Sequence, residues 1–75
     1  MVFEKIKQLI LNEIKIDEAK ITMDAKFDED LGADSLDAVE MVMGVEDQFD
    51  IKLSDEEMQS LKTVGDLVRI VEAKI

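Results

Sequence analysis

The side chains of this chain with chemical potential are hydroxyls and carboxylates, because its 75 residues include no Cys and no His. Disulfides, Cys/His zinc sites, thiol nucleophiles and serine–histidine triads are thereby excluded. The segment that stands out is Asp30-Leu31-Gly32-Ala33-Asp34-Ser35-Leu36-Asp37. Gly32 permits a backbone turn that other residues resist. Asp34 is suited to cap a helix, its carboxylate accepting from exposed backbone N–H groups. Ser35 then falls in the first helical turn. A hydroxyl there is exposed, and the positive end of the helix favours an attached anion such as a phosphodiester. Asp-Ser-Leu by itself is a common tripeptide and is most often only a capping or first-turn serine.

The surroundings of Ser35 sharpen the reading. Between Lys26 and Lys52 there is no basic residue, while Asp28, Glu29, Asp30, Asp34, Asp37, Glu40, Glu46, Asp47 and Asp50 all fall there. Such a run is most often a solvated face. At about 100° per residue, however, Leu36, Glu40, Met43 and Asp47 share one side of a helix. Ala38, Val42, Val45 and Phe49 share the nearly opposite side, flanked by Val39 and Met41. Two apolar side chains, Leu36 and Met43, are thus predicted on the acidic solvent face. Apolar anchors ringed by charge suit a partner-docking surface. A calcium loop begun at Asp28 fails, because Gly32 falls fifth instead of sixth and Val39 occupies the twelfth, bidentate position. No metal site is assigned, although clustered carboxylates leave room for loose divalent binding.

The elements that must hold this segment are helical. Pro is absent, Gly occurs three times, and strand-like alternation is sparse. Phe3, Ile6, Leu9, Ile10 and Ile14 recur at three- and four-residue steps, which predicts an amphipathic helix from about Val2 to Ile16. Asp17 to Asp34 reads as a long ordered loop pinned by Ile21, Met23, Phe27 and Leu31, and loops of that length are usually functional. A helix over Ser35–Phe49 follows. Ser54-Asp55-Glu56-Glu57 has the form of a capping box and opens a short helix ending near Leu61. Thr63 caps a last helix with Val64, Leu67, Val68, Ile70 and Val71 on its apolar face and Asp66, Arg69, Glu72 and Lys74 toward water. The expected architecture is one all-α domain over residues 1–75, a four-helix bundle of three main helices and one short one. Hydrophobic residues make up 47% of the chain and charged residues 37%, enough for a thin core with a soluble exterior. The formal net charge of -10 disfavours nucleic acid and anionic membranes and favours partners with basic patches. No apolar stretch is long enough for a signal h-region or a membrane span, so a cytoplasmic monomer is the default expectation.

The octapeptide Asp30 to Asp37 resembles the phosphopantetheine attachment motif of acyl carrier proteins from dissociated fatty acid synthases. The likeness runs on through Val39-Glu40-Met41-Val42-Met43, Glu46-Asp47-Gln48-Phe49-Asp50, Ser54-Asp55-Glu56-Glu57 and Thr63-Val64-Gly65-Asp66-Leu67. It covers essentially the whole chain without a gap. Phe27 and Leu31 fall where that family places loop anchors. The resemblance implies an acyl-carrier-like bundle that is not itself an enzyme. It implies that Ser35 is esterified by 4′-phosphopantetheine taken from coenzyme A, a transfer made by a separate holo-carrier-protein synthase. It implies that the arm's thiol carries the growing fatty acyl chain as a thioester. Asp34, Leu36, Asp37, Glu40, Met43, Glu46 and Asp47 would form the surface read by the fatty acid synthase enzymes (acyltransferase, ketoacyl synthases, reductases, dehydratase) and by acyltransferases of lipid synthesis. Asp34 would also help hold magnesium during arm transfer. The alternatives are a carrier for another acyl pathway (polyketide, lipid A-type or D-alanyl transfer) and an unmodified acidic interaction module. Three departures stand out: Gly44 inside the second helix, Ser54 where many relatives have proline, and a last helix without aromatics. The aliphatic side chains Val39, Val42, Leu61, Leu67, Val68 and Val71 are expected to part and admit an acyl chain.

Overall fold

The computed structural model describes residues 2–32 and 34–75, with Ser35 described in its backbone alone. Its elements are α1 (Val2–Glu13), a 3₁₀ turn (Glu18–Lys20), α2 (Ser35–Phe49), α3 (Asp55–Ser60) and α4 (Val64–Lys74). No strand occurs among the described residues; the one β-type feature is an isolated bridge between Lys26 and Thr63. The expected bundle of three main helices and one short one is therefore observed.

Three helices, α2, α3 and α4, begin where the sequence supplies a cap. Asp34, Ser54 and Thr63 accept from the backbone N–H of Asp37, Glu57 and Asp66, and each of those acids accepts from the cap residue's own N–H in return. Three reciprocal capping boxes thus satisfy N–H groups that a helix start leaves without partners. Glu57 also binds Lys74 Nζ at 3.1 Å, tying α3 to the end of α4. The Ser54 N–H and the Lys74 ammonium hold the Glu57 carboxyl below its ordinary range.

The first helix is shorter than its periodicity suggests, ending at Glu13 instead of Ile16. Its last turn carries no basic residue to complement the negative helix end. Asp17 then caps the 3₁₀ turn by accepting from the Ala19 N–H, so the chain changes course there. Ile14 and Ile16 still pack, half-buried, against the core.

The core joins all the main helices. Ile6 and Ile10 of α1, Met41, Val42 and Val45 of α2, and Val64, Leu67, Val68 and Val71 of α4 are buried. The long loop contributes Ile21, Ala25, Phe27 and Leu31. Met23, expected as a pin, is instead 39% exposed; its backbone does the pinning. Gly65 N–H donates to Met23 O at 2.8 Å, Val64 N–H to Ala25 O at 2.9 Å, and Phe27 N–H to Lys62 O at 3.1 Å. This clasp requires glycine at position 65, where a Cβ would stand 2.7 Å from Met23 O. Gly44, by contrast, lies against Leu9 of α1, and a Cβ there would make an ordinary contact at 3.6 Å. Asp66 does not simply face water. Its burial favours the neutral form, but the N–H groups of Lys62 and Thr63 and the Arg69 guanidinium outweigh that and hold its carboxyl below the usual range.

Candidate functional site

The chain enters α2 through a glycine whose conformation the turn demands: Gly32 has φ +66, in the left-handed region. Asp34 follows as N-cap, with its Oδ1 accepting from Asp37 N–H at 2.9 Å and Asp37 Oδ2 accepting from Asp34 N–H at 3.4 Å. The first-turn amides of Ser35 and Leu36 are left without intrahelical acceptors, as at any helix start. Ala33 and the Ser35 side chain lie outside the described residues, so the expected attachment hydroxyl is placed only by its backbone, as the first residue of α2.

From this start α2 presents the stripe its sequence predicts. Leu36 is 66% exposed and Met43 57%, with Glu40 and Asp47 exposed beside them. The four lie within about 60° of one another on the helix wheel. Asp34 is exposed at the head of the stripe. Two residues expected on this surface are committed elsewhere. Asp37 is half-buried and bound into the capping box. Glu46 is half-buried, with Oε2 accepting from Leu53 N–H at 2.8 Å, which fixes the link between α2 and α3. Glu40 stands close enough to Glu13 of α1 for a protonated Glu13 to hydrogen-bond to it. That bond, with partial desolvation and repulsion from Glu40 and Asp37, raises the Glu13 pKa above its ordinary value.

Beside the stripe an apolar cavity of about 110 Å³ opens between α2, α3 and the long loop. It is lined by Phe27, Ala38, Val39, Met41, Val42, Met58, Leu61 and Leu67. Val39, Val42, Leu61 and Leu67 stand where sequence reasoning put them. Val68 and Val71 do not line it; they are 3% and 0% exposed in the core behind. Val39, expected to flank the core, is 41% exposed at the mouth. Phe27, Ala38, Met41 and Met58 were not anticipated as cavity walls. Ala38 alone had a sequence signal, since it lies three residues after Ser35 and so one turn along the same helix face.

A second, more polar concavity of about 410 Å³ adjoins the first and shares Phe27, Ala38 and Leu61 with it. Its remaining walls include Asp34 and two lysines, Lys26 and Lys62. The two depressions thus flank the start of α2, one apolar and one charged. Among the described residues no group of three or more acids stands close enough to hold a metal ion, and no helix is long and apolar enough to cross a membrane.

This arrangement fits a flexible anionic tether. The comparisons agree. The family described as "phosphopantetheine attachment site" matches residues 4–71. A Mycobacterium tuberculosis protein described as an acyl carrier protein superposes with a TM-score of 0.87 at 32% identity, covering 97% of this chain and 97% of that one. The acyl carrier protein of Enterococcus faecalis superposes with a TM-score of 0.82 at 31% identity, covering 99% of this chain and 94% of that one.

Proposed function

The chain belongs to the phosphopantetheine-attachment family of acyl carrier proteins, and from that premise we propose that Ser35 bears the arm and that the cargo is the growing chain of fatty acid synthesis. Members of this family are not themselves enzymes; they present cargo to synthases and transferases. When bound, 4′-phosphopantetheine supplies a terminal thiol able to hold acyl groups as thioesters, chemistry that no side chain of this Cys-free protein offers.

The observation that carries the reading is the juxtaposition at the head of α2: a capped helix start beside an apolar cavity. The Ser35 and Leu36 amides favour an anion at the attachment point. Ala38, Val42 and Leu67 provide apolar walls, where each buried methylene is worth about 0.8 kcal/mol. Val39, Met58 and Leu61 stand at the rim and shield what lies within from water.

Docking falls to the stripe of Asp34, Leu36, Glu40, Met43 and Asp47. Its acids attract basic patches, which raises the rate of encounter, while Leu36 and Met43 supply apolar area. Exposed ion pairs contribute little individually, about 0–1 kcal/mol, so release stays fast. That balance suits a shuttle that visits several partners. Asp37 and Glu46 contribute charge to this field from fixed positions.

The cargo decides the pathway. Acyl groups released by thioester cleavage from protein purified from its native cell should form a ladder whose members differ by two carbons. A single aminoacyl or branched polyketide species would assign another pathway, and a bare serine would leave only an acidic interaction module.

A further inference from the structure

We propose that the polar trough bounded by Lys26 and Lys62 receives cargo ending in a carboxylate, so that the two depressions beside α2 sort acyl groups by charge. The inference rests on Ser35 bearing the arm.

The two depressions share Phe27, Ala38 and Leu61 as a common wall. Asp34 and Ala38, the residues one before and three after Ser35, both line the trough. A single tether at the head of α2 can therefore deliver its end to either side of that wall. The sides differ in chemistry. The cavity walls are apolar side chains throughout, and burying an unpaired carboxylate among them would cost several kcal/mol. A short dicarboxylic half-thioester, the class to which chain-extending units belong, is excluded there by charge while a neutral chain of similar length is not.

The trough offers such a carboxylate a partner. Lys26 and Lys62 are its two cations, in a chain that has no other base between Lys26 and Lys52. Both are held by the clasp: Lys26 bridges Thr63, its own N–H donates to Asp30 Oδ2 at 2.8 Å, and Lys62 O accepts from Phe27 N–H at 3.1 Å. Their ammonium groups differ. Lys26 Nζ is paired with Glu29 at 3.3 Å, whereas Lys62 Nζ has no ion-pair partner among the described residues. The acids on the trough walls are already engaged. Glu29 binds Lys26, Asp28 Oδ1 accepts from the Glu29 N–H at 2.8 Å, and Asp34 holds the α2 cap. Lys62 is thus the one cation of the trough without an ion-pair partner among the described residues.

The test compares two forms of the arm-bearing protein, one loaded with a malonyl group and one with butyryl, by amide NMR and by titration of a ¹³C-labelled malonyl carboxylate. Butyryl is expected to shift the amides of Val39, Val42 and Leu67. Malonyl is expected to shift those of Phe27, Asp28 and Lys62 instead. In Lys62→Gln the malonyl shifts should fall by more than half and its carboxylate should titrate at higher pH, with the butyryl pattern unchanged. Malonyl shifts that survive in Lys62→Gln with an unaltered carboxylate titration overturn the proposal, as do malonyl shifts confined to the cavity or absent. Failure of the underlying reading is seen separately, as a protein that gains no arm or a butyryl group that leaves the cavity amides unmoved.

Discussion

A neutral acyl chain should stabilise this fold by an amount the cavity sets. At about 110 Å³ the space is somewhat smaller than the roughly 150 Å³ apolar cavity that accepts benzene. A butyryl group places three carbons beyond its carbonyl. At about 0.8 kcal/mol each they would gain roughly 2.4 kcal/mol if fully buried. The mouth is open, with Val39 41% exposed, and the gain on such areas is an upper bound, so about 1–2 kcal/mol is expected. For a domain of this size 1 kcal/mol moves Tm by roughly 4–8 °C. Butyryl should therefore raise Tm by roughly 4–16 °C over the unacylated, arm-bearing form. Longer chains must part Leu61 and Met58 from α2, so the gain per methylene should fall after about six carbons, as displaced packing offsets burial. Ala38→Leu, which places extra methylenes in the cavity, should cut the butyryl increment by more than half. Differential scanning calorimetry on the matched forms reads these numbers. Identical melting with and without butyryl, or an undiminished increment in Ala38→Leu, would refute the assignment of this cavity.

Three further outcomes follow from contacts elsewhere. Gly65→Ala should destabilise the protein by about 1–3 kcal/mol, because the added methyl would stand 2.7 Å from Met23 O; urea unfolding measures it, and an unchanged midpoint would contradict the clasp. Glu13 is an acid whose folded pKa is raised above 4.5, first by the hydrogen bond its protonated form makes to Glu40. Its contribution to stability is present below the unfolded value and is lost as pH rises through the folded one. Glu13→Gln should therefore raise Tm at pH 7 and make little difference at pH 4; equal effects at both would remove the Glu13–Glu40 pair from the account. Glu40→Lys should slow association with a basic partner enzyme, mainly in the on-rate and less so as salt rises. A change confined to the off-rate in stopped-flow measurements would argue against the stripe as the steering surface.

The helix starts and the exposed stripe were legible in the sequence because both are local. Asp34, Ser54 and Thr63 each precede an acid by three residues, and that spacing alone places the boxes seen at the starts of α2, α3 and α4. Leu36 and Met43 were found by helical angle. What the sequence hid depends on contacts between distant segments. The clasp is made by backbone groups of Met23, Ala25 and Lys62, which carry no side-chain signature, so the sequence alone presents Met23 as an apolar pin. Glu46 looks like one more surface acid until the α2–α3 link brings Leu53 N–H to it. The cavity was half legible: Val42 and Leu67 lie on predicted apolar faces, but which side of each face opens is settled by where α3 and Phe27 pack. Lys62 carried no signal at all, because only the pairing of Lys26 with Thr63 brings it beside α2.

Arm attachment depends on one oxygen, that of the Ser35 hydroxyl. Intact mass should be measured after incubation with coenzyme A and a phosphopantetheinyl synthase, for the natural protein and for Ser35→Ala. The natural protein should gain the mass of a single arm and Ser35→Ala none, with its helical circular dichroism unchanged. A mass gain that persists in folded Ser35→Ala, or natural protein that never gains the arm, would contradict the account.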